Sequence, residues 1–380
     1  MATSPLNQPD DSGDLDEGEA LCLSGGGYRA MLFHAGTLWR LYESGRLARL
    51  KRISSVSGGS ITAGVLALAW PKLSFAAGRS DDFVEHVVTP LRALAGHTLD
   101  AEAIVGGILL PGSIGDKVAA AYARYLFGDA TLQHLPDAPR FVINATNIQS
   151  GVLWRFSKPY MGDYRVGRIP NPTLSLARAV AASSAFPPVL SPIAIEVDPA
   201  SFLPNSGDDL QRPPFTTDVV LADGGVYDNM GLETVWKNYR SVLISDAGAK
   251  MQAEEEPKHD WPRHAYRVLD LVDNQVRSLR KRQVIAGFRA KPGDPEARQG
   301  AYWGIGTAYE AYARRSPALR CPPADTDRLA KVPTRLKRMD DLLQRQLVNW
   351  GYAVCDAALR THVDPSLPEP AGFPYADTAL

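Results

Sequence analysis

Three short segments of this chain hold the residue types needed to cleave an ester. The first is Ser55-Val56-Ser57-Gly58-Gly59. A serine hydroxyl attacks a carbonyl only when a base removes its proton and the backbone holds it clear of its neighbours. A sharp strand-to-helix turn of small residues does the second job. A helix starting just after Ser57 would also aim its N–H groups at the reaction centre, with Gly58 closest. Ser55 stands where the first glycine of Gly-x-Ser-x-Gly belongs. It is small enough to fit, but a positive φ there would strain it. Alone, a glycine turn ending a strand explains the segment as well.

The second segment is Ser24-Gly25-Gly26-Gly27-Tyr28-Arg29. Three glycines between a buried strand and a helix leave the N–H groups of Gly25, Gly26 and Gly27 bare. Such donors suit a phosphate or the oxyanion of a tetrahedral intermediate. The loop lacks the Lys-Ser/Thr ending of a nucleotide P-loop and the Gly-x-Gly-x-x-Gly spacing of a dinucleotide fold. Arg29, in the first helical turn, is unfavourable beside the dipole unless partnered. It is expected either to fix the loop or to meet substrate charge. The third segment opens with Asp223-Gly224-Gly225, where Gly224 and Gly225 let the backbone turn and expose the carboxylate. An aspartate at the carboxyl end of a buried strand lies where open α/β sheets keep their active sites. An ordinary turn aspartate is the plain alternative. Beyond Asp223 the histidines are His259, His264 and His362, and none sits in a convincing catalytic loop. His34 is expected to be packed within the first helix.

These segments need strands behind them and helices after them. Ala20–Leu23 is a short apolar run and Ile53–Val56 a short extended one, each followed by its turn and then by a helical pattern. Phe141–Thr146, Leu153–Phe156, Val219–Ala222 and Ser241–Ser245 add further strands. Helices are expected over Asp116–Phe127, Pro172–Ala185, 260–290 and Arg335–Leu359, and the stretch 198–217 reads as a surface insertion. Strands alternating with helices predict a parallel sheet with crossovers. Such a sheet would bring all three turns to one edge.

Together the segments resemble the patatin-like phospholipases, including the cytosolic phospholipase A2 branch. Ser24–Arg29 is similar to that family's oxyanion loop, Ser57 to its nucleophile, and Asp223-Gly224-Gly225, continued by Asn229 and Gly231, to its base motif. Ala182-Ser183-Ser184-Ala185-Phe186-Pro187-Pro188 looks like its Ala-Ser block. The resemblance covers residues 20–231, with looser matches at Tyr302-Trp303-Gly304 and Asn349-Trp350-Gly351-Tyr352. It implies a three-layer α/β/α fold with a mostly parallel central sheet and a Ser57–Asp223 dyad without histidine. It also implies acyl-ester hydrolysis of a phospholipid or lysophospholipid, with no metal and no cofactor. Other readings stay open: a thioesterase or acyltransferase, a phospholipase effector of bacterial antiphage defence, and a non-catalytic lipid-binding module.

Bulk properties agree with an enzyme. The 380 residues are 45% hydrophobic, enough for a full core, and 41 basic against 42 acidic side chains give a net charge of -1. Nucleic-acid binding would call for a basic excess. Cys22, Cys321 and Cys355 are too scattered for a disulfide framework and read as buried thiols of a reducing compartment. Residues 1–19 are acidic, without the apolar region of a signal peptide, and are expected to form a solvated arm. Residues 20–365 are expected to be one catalytic domain, helical from about 255, and 366–380 an irregular tail. The longest apolar stretch, Ile61–Trp70, is about half a membrane span. A cytoplasmic protein is expected. The cations between Arg263 and Lys291 could rest on anionic lipid in peripheral contact, or could form a solvated helix face. The oligomeric state is not legible.

Overall fold

The computed structural model describes residues 15–75, 80–99, 114–188, 190–312 and 319–380. Among these residues, ten strands form one sheet: β1 (Asp16–Leu23), β2 (Leu50–Val56), β3 (Arg140–Asn147), β4 (Val152–Phe156), β5 (Tyr160–Asp163), β6 (Gly167–Pro170), β7 (Ile193–Glu196), β8 (Asp218–Asp223), β9 (Tyr239–Asp246) and β10 (Gln299–Gly304). The main path runs β10-β9-β1-β2-β3-β4-β5-β6. Its central pairs, from β10 to β3, are parallel. Beyond β3 the sheet turns antiparallel through β4, β5 and β6.

The longer helices are α1 (Gly27–Glu43), α2 (Gly58–Ala69), α3 (Ile114–Tyr122), α4 (Leu176–Ser183), α5 (Trp261–Arg289), α6 (Pro323–Ala330) and α7 (Asp341–His362). The period-2 alternation of the central strands explains the layers. In β1, Leu21 and Leu23 join the large core with α1, α2, α4 and α7, while Ala20 and Cys22 join a smaller core with Val284 of α5. In β9, Leu243 faces the first core and Val242 and Ile244 the second. Both faces of the sheet are therefore covered, which makes the mixed α/β fold with a mostly parallel central sheet.

Three expectations need correction. Asp16 to Glu19, assigned to the acidic arm, instead open β1, where Glu19 pairs with Arg46 at 3.0 Å and Glu17 with Arg240 at 2.6 Å; the arm's first fourteen residues lie outside the described ones. The last helix starts at Asp341, with Asp340 as its cap. Residues 335–340 are non-helical, and their backbone bonds elsewhere: Arg335 O accepts from Tyr28 N–H at 3.1 Å and Leu336 O from Leu99 N–H at 2.8 Å. The tail, residues 366–380, is irregular, and Asn349 binds Tyr375 and Thr378 backbone atoms. Finally, β8 is antiparallel to β3, so one parallel edge does not gather all three turns.

Candidate active site

The antiparallel strand turns out to bring the pair together in another way. Along β3, Asn144 faces Val56 at the end of β2, and the next residue, Ala145, faces Asp223 at the end of β8. Strands β2 and β8 thus meet end to end against one neighbour, their carboxyl ends pointing at each other. Ser57 and Asp223 occupy the junction. A Cβ on Gly224 would stand 2.4 Å from Asn144 O and 3.1 Å from Val56, so only glycine fits where the two strands close.

Ser57 caps α2 with φ 52° and ψ -121°, a conformation that costs a non-glycine residue about 1–3 kcal/mol. The strain falls on Ser57 and not on Ser55, which stays in β2 and accepts a hydrogen bond from Ser60 at 3.0 Å. Ser183 holds the strained turn. Its hydroxyl accepts the Ser57 N–H at 2.9 Å and donates to Asn144 O at 2.6 Å. The same block holds the aspartate: Asp223 N–H donates to Ala185 O at 2.8 Å and Gly224 N–H to Ser183 O at 3.3 Å.

The Asp223 carboxyl is buried, and burial pushes its pKa up to about 7. A 2.7 Å bond from Gly225 N–H and the Ser57 hydroxyl beside the carboxyl oppose that rise, while the nearby Asp273 adds to it. A carboxylate poised near neutrality beside a serine hydroxyl has the chemistry to accept that proton.

The glycine loop lies on the elbow. A Cβ on Gly58 would stand 2.2 Å from Gly27 O, and one on Gly25 would stand 3.1 Å from the Ser57 Cβ. The N-termini of α1 and α2 therefore abut beside Ser57. Gly25 is not a free donor, contrary to expectation, because its N–H is bonded to Asn229 O at 3.0 Å. The N–H groups of Gly26, Gly27 and Gly58 have no acceptor among the described residues. Arg29 is fully buried and fixes the loop: Nε donates to Ala247 O at 3.0 Å and Nη1 to Val332 O. Burial, then Arg277, lowers its pKa to about 9. His34 is packed as expected, its Nε2 donating to Ser24 O at 2.9 Å, and burial holds it neutral with a pKa near 4.

Two cavities open at Ser57. One, of about 480 Å³, is walled by Phe186, Pro187, Pro188, Leu190 and Leu336 on one side and by the start of α5 on the other. The second, about 340 Å³, is polar and includes Asp223, Arg29, Arg335, Asp270, Asp273 and Arg277. No histidine lines either among the described residues. Sequence reasoning gave no role to Ser183, Asn144 or Asp273. Two serines in an alanine-rich helix ending before a Pro-Pro were the available signal for Ser183; Asp273 could not be found without the packing of α5.

A serine on a strand-turn-helix elbow stands beside a strand-end carboxylate and bare amides in a mixed α/β protein with a mostly parallel central sheet. The family model for patatin-like phospholipase matches residues 21–236, more than half the chain, and the chain belongs to that family of lipid-hydrolysing enzymes. No curated protein matches the sequence. Among solved structures, human GIVD cytosolic phospholipase A2 superposes with TM-score 0.52 at 13% identity, over 93% of this chain and 63% of that one. The same human protein in complex with methyl γ-linolenyl fluorophosphonate and terbium chloride gives 0.51 at 17% identity, over 90% and 58%. The chain thus spans about three fifths of the human enzyme, and at these identities the likeness is one of fold. No helix among the described residues is long and apolar enough to cross a membrane.

Proposed function

We propose that the chain is a lipid acyl hydrolase, a phospholipase A or lysophospholipase, that works through an acyl-serine on Ser57. The observation that carries this reading is the Ser57 hydroxyl placed beside a buried carboxylate whose pKa is raised to about 7, at a strand junction that admits only glycine. Ser57 Oγ attacks the ester carbonyl carbon as its proton passes to Asp223, and the carbonyl electrons move onto oxygen. The N–H groups of Gly26, Gly27 and Gly58 hold that oxyanion, each donor contributing about 10²–10³ in rate. Collapse breaks the carbon–oxygen bond to the alcohol, which leaves with the proton from Asp223. A water then gives a proton to Asp223 as it attacks the acyl-serine. The second collapse frees the fatty acid and returns the proton to Ser57.

The apolar cavity supports an acyl chain as the occupant, and the polar cavity, with Arg29, Arg277 and Arg335, supports a polar or anionic head. No step in this scheme needs a metal or cofactor. The test is labelling with a fluorophosphonate, the reagent class bound in one of the human structures. Peptide mass spectrometry should find one adduct, on Ser57, and the labelled protein should no longer release fatty acid from phosphatidylcholine or lysophosphatidylcholine. An adduct on another serine, with Ser57 unmodified and activity lost, would overturn the assignment. Hydrolysis of acyl-CoA in preference to both phospholipids would replace the substrate class while keeping the dyad.

A further inference from the structure

Helix α5 has its polarity reversed. It is 29 residues long, about 43 Å at 1.5 Å per residue, and buries only Val284 and Gly287. Trp261 is 81% exposed, Val272 51% and Leu279 57%, and Val268 lies between them at 47%. At 100° per residue these four fall within an arc of about 40°. Asp270 and Arg277, which line the polar cavity, lie about 160–180° round the helix from that stripe. The charges face the site and the apolar side chains face outward. An ordinary surface helix does the opposite.

Several cations of the basic run in α5 are taken up by ion pairs. Arg263 is paired with Asp260 at 2.6 Å, Arg267 with Glu254 at 3.5 Å, Arg277 with Asp246 at 3.6 Å and Arg280 with Glu233 at 2.9 Å. Arg282 and Arg289 are exposed and have no carboxylate partner among the described residues, and their spacing puts them along one flank of the stripe. Lys291 follows, exposed as well. An outward apolar stripe with free cations at its margin is complementary to an anionic lipid surface. The apolar cavity that leads to Ser57 opens against the start of the same helix, at Pro262, Arg263 and Tyr266.

We infer that the outer face of α5 docks the protein on anionic membrane lipid, with Trp261, Val268, Val272 and Leu279 entering the interface and Arg282, Arg289 and Lys291 meeting headgroups. This inference rests on the lipid hydrolase reading for its choice of occupant. Docked in this way, the helix that walls the apolar cavity also rests on the bilayer.

The experiment compares the full chain with a triple variant, Trp261→Ser, Val272→Ser and Leu279→Ser, by flotation with vesicles of phosphatidylcholine plus phosphatidylglycerol or of phosphatidylcholine alone. The wild type should float with the anionic vesicles, and the triple variant should lose about a hundredfold in partition. Both should hydrolyse a water-soluble nitrophenyl ester equally, because none of the three residues lines either cavity at Ser57. Val272→Glu should weaken flotation as strongly without touching the core. Unchanged flotation of both variants overturns the inference. So does a wild type that elutes as a dimer, ignores vesicles, and becomes monomeric in the triple variant, since a second copy would then cover the face. Failure of the dyad reading looks different: the soluble ester would survive Ser57→Ala, whereas flotation of Ser57→Ala should match the wild type in either case.

Discussion

On the sheet side of the cleft, Ser57 is held by glycines too tightly packed to accept a Cβ and by the Ser183 hydroxyl, itself bonded to Asn144 O, while Ala185 O holds Asp223. On the opposite side, α5 is anchored at its C-terminal end, carries charge toward the site and leaves apolar side chains in solvent. The first region is fixed by contact distances of a few ångströms. The second is fixed by a few ion pairs and tolerates change. The contrast separates the tasks: geometry of the reacting atoms on one side, access and electrostatic tuning on the other. Substitutions on the sheet side should therefore act on kcat, and those on α5 on substrate capture or pH dependence.

The largest effects should come from the dyad. Ser57→Ala and Asp223→Asn should each lower kcat/KM on a soluble ester by about 10⁴-fold or more. Thermal unfolding should change little or rise, since alanine keeps the backbone conformation at position 57 and the second substitution removes a buried charge. Equal residual activity in the double variant would show that the two act as one unit. If Asp223→Asn kept even a tenth of wild-type kcat, the base would have to be sought among the carboxylates of α5, and the contrast between the two walls would fail. Gly58→Ala comes next. Its Cβ would sit 2.2 Å from Gly27 O, so the glycine loop must retreat from the elbow. A fall of about 10²–10³ in kcat is expected. Gly306→Ala, where nothing lies within 4 Å, is the silent control.

Much of this inner site was legible because its demands are local. A glycine that must admit another backbone, a serine at a strand end and a carboxylate before two glycines each leave a mark in the sequence. Strands β2 and β8 were placed within a few residues. Their mutual direction was not, because a buried apolar run reads the same in a parallel or antiparallel strand, and β8 reverses against β3. Gly25 misled for a related reason. Its N–H looks bare in sequence, and only the fold brings Asn229 O to it. Helix α5 was legible as a helix but not as a wall. Counting its cations hid the ion pairs that consume Arg263, Arg267, Arg277 and Arg280, and with them the apolar stripe.

Ser183 tests whether the inner wall is fixed by its supports as well as by its glycines. Ser183→Ala leaves the Ser57 N–H without its acceptor in a buried place, at a cost of about 1–3 kcal/mol. Ser57 would then relax from its strained φ, and kcat should fall about tenfold or more with KM unchanged. A rise in KM at constant kcat would make Ser183 part of the substrate pocket instead.

The smallest effect is the one that couples the two walls. Asp223 must be ionised to accept the Ser57 proton, and with its pKa raised to about 7 the activity should fall as pH drops through that value and level off above it. Burial is the main cause, and the negative charge of Asp273 on α5 adds to it. Asp273 itself is raised to about 6, by burial first, so it is mostly charged where Asp223 titrates. Removing that charge makes ionised Asp223 easier to form. Asp273→Asn should therefore move the acid limb of kcat/KM to lower pH, with a roughly two- to threefold gain near pH 6 and an unchanged plateau. Asp270→Asn, on the same helix but not among the causes of the Asp223 shift, should move the limb less. A limb that stays fixed in Asp273→Asn would mean that α5 governs access alone, and that the base is set entirely by the sheet on which it stands.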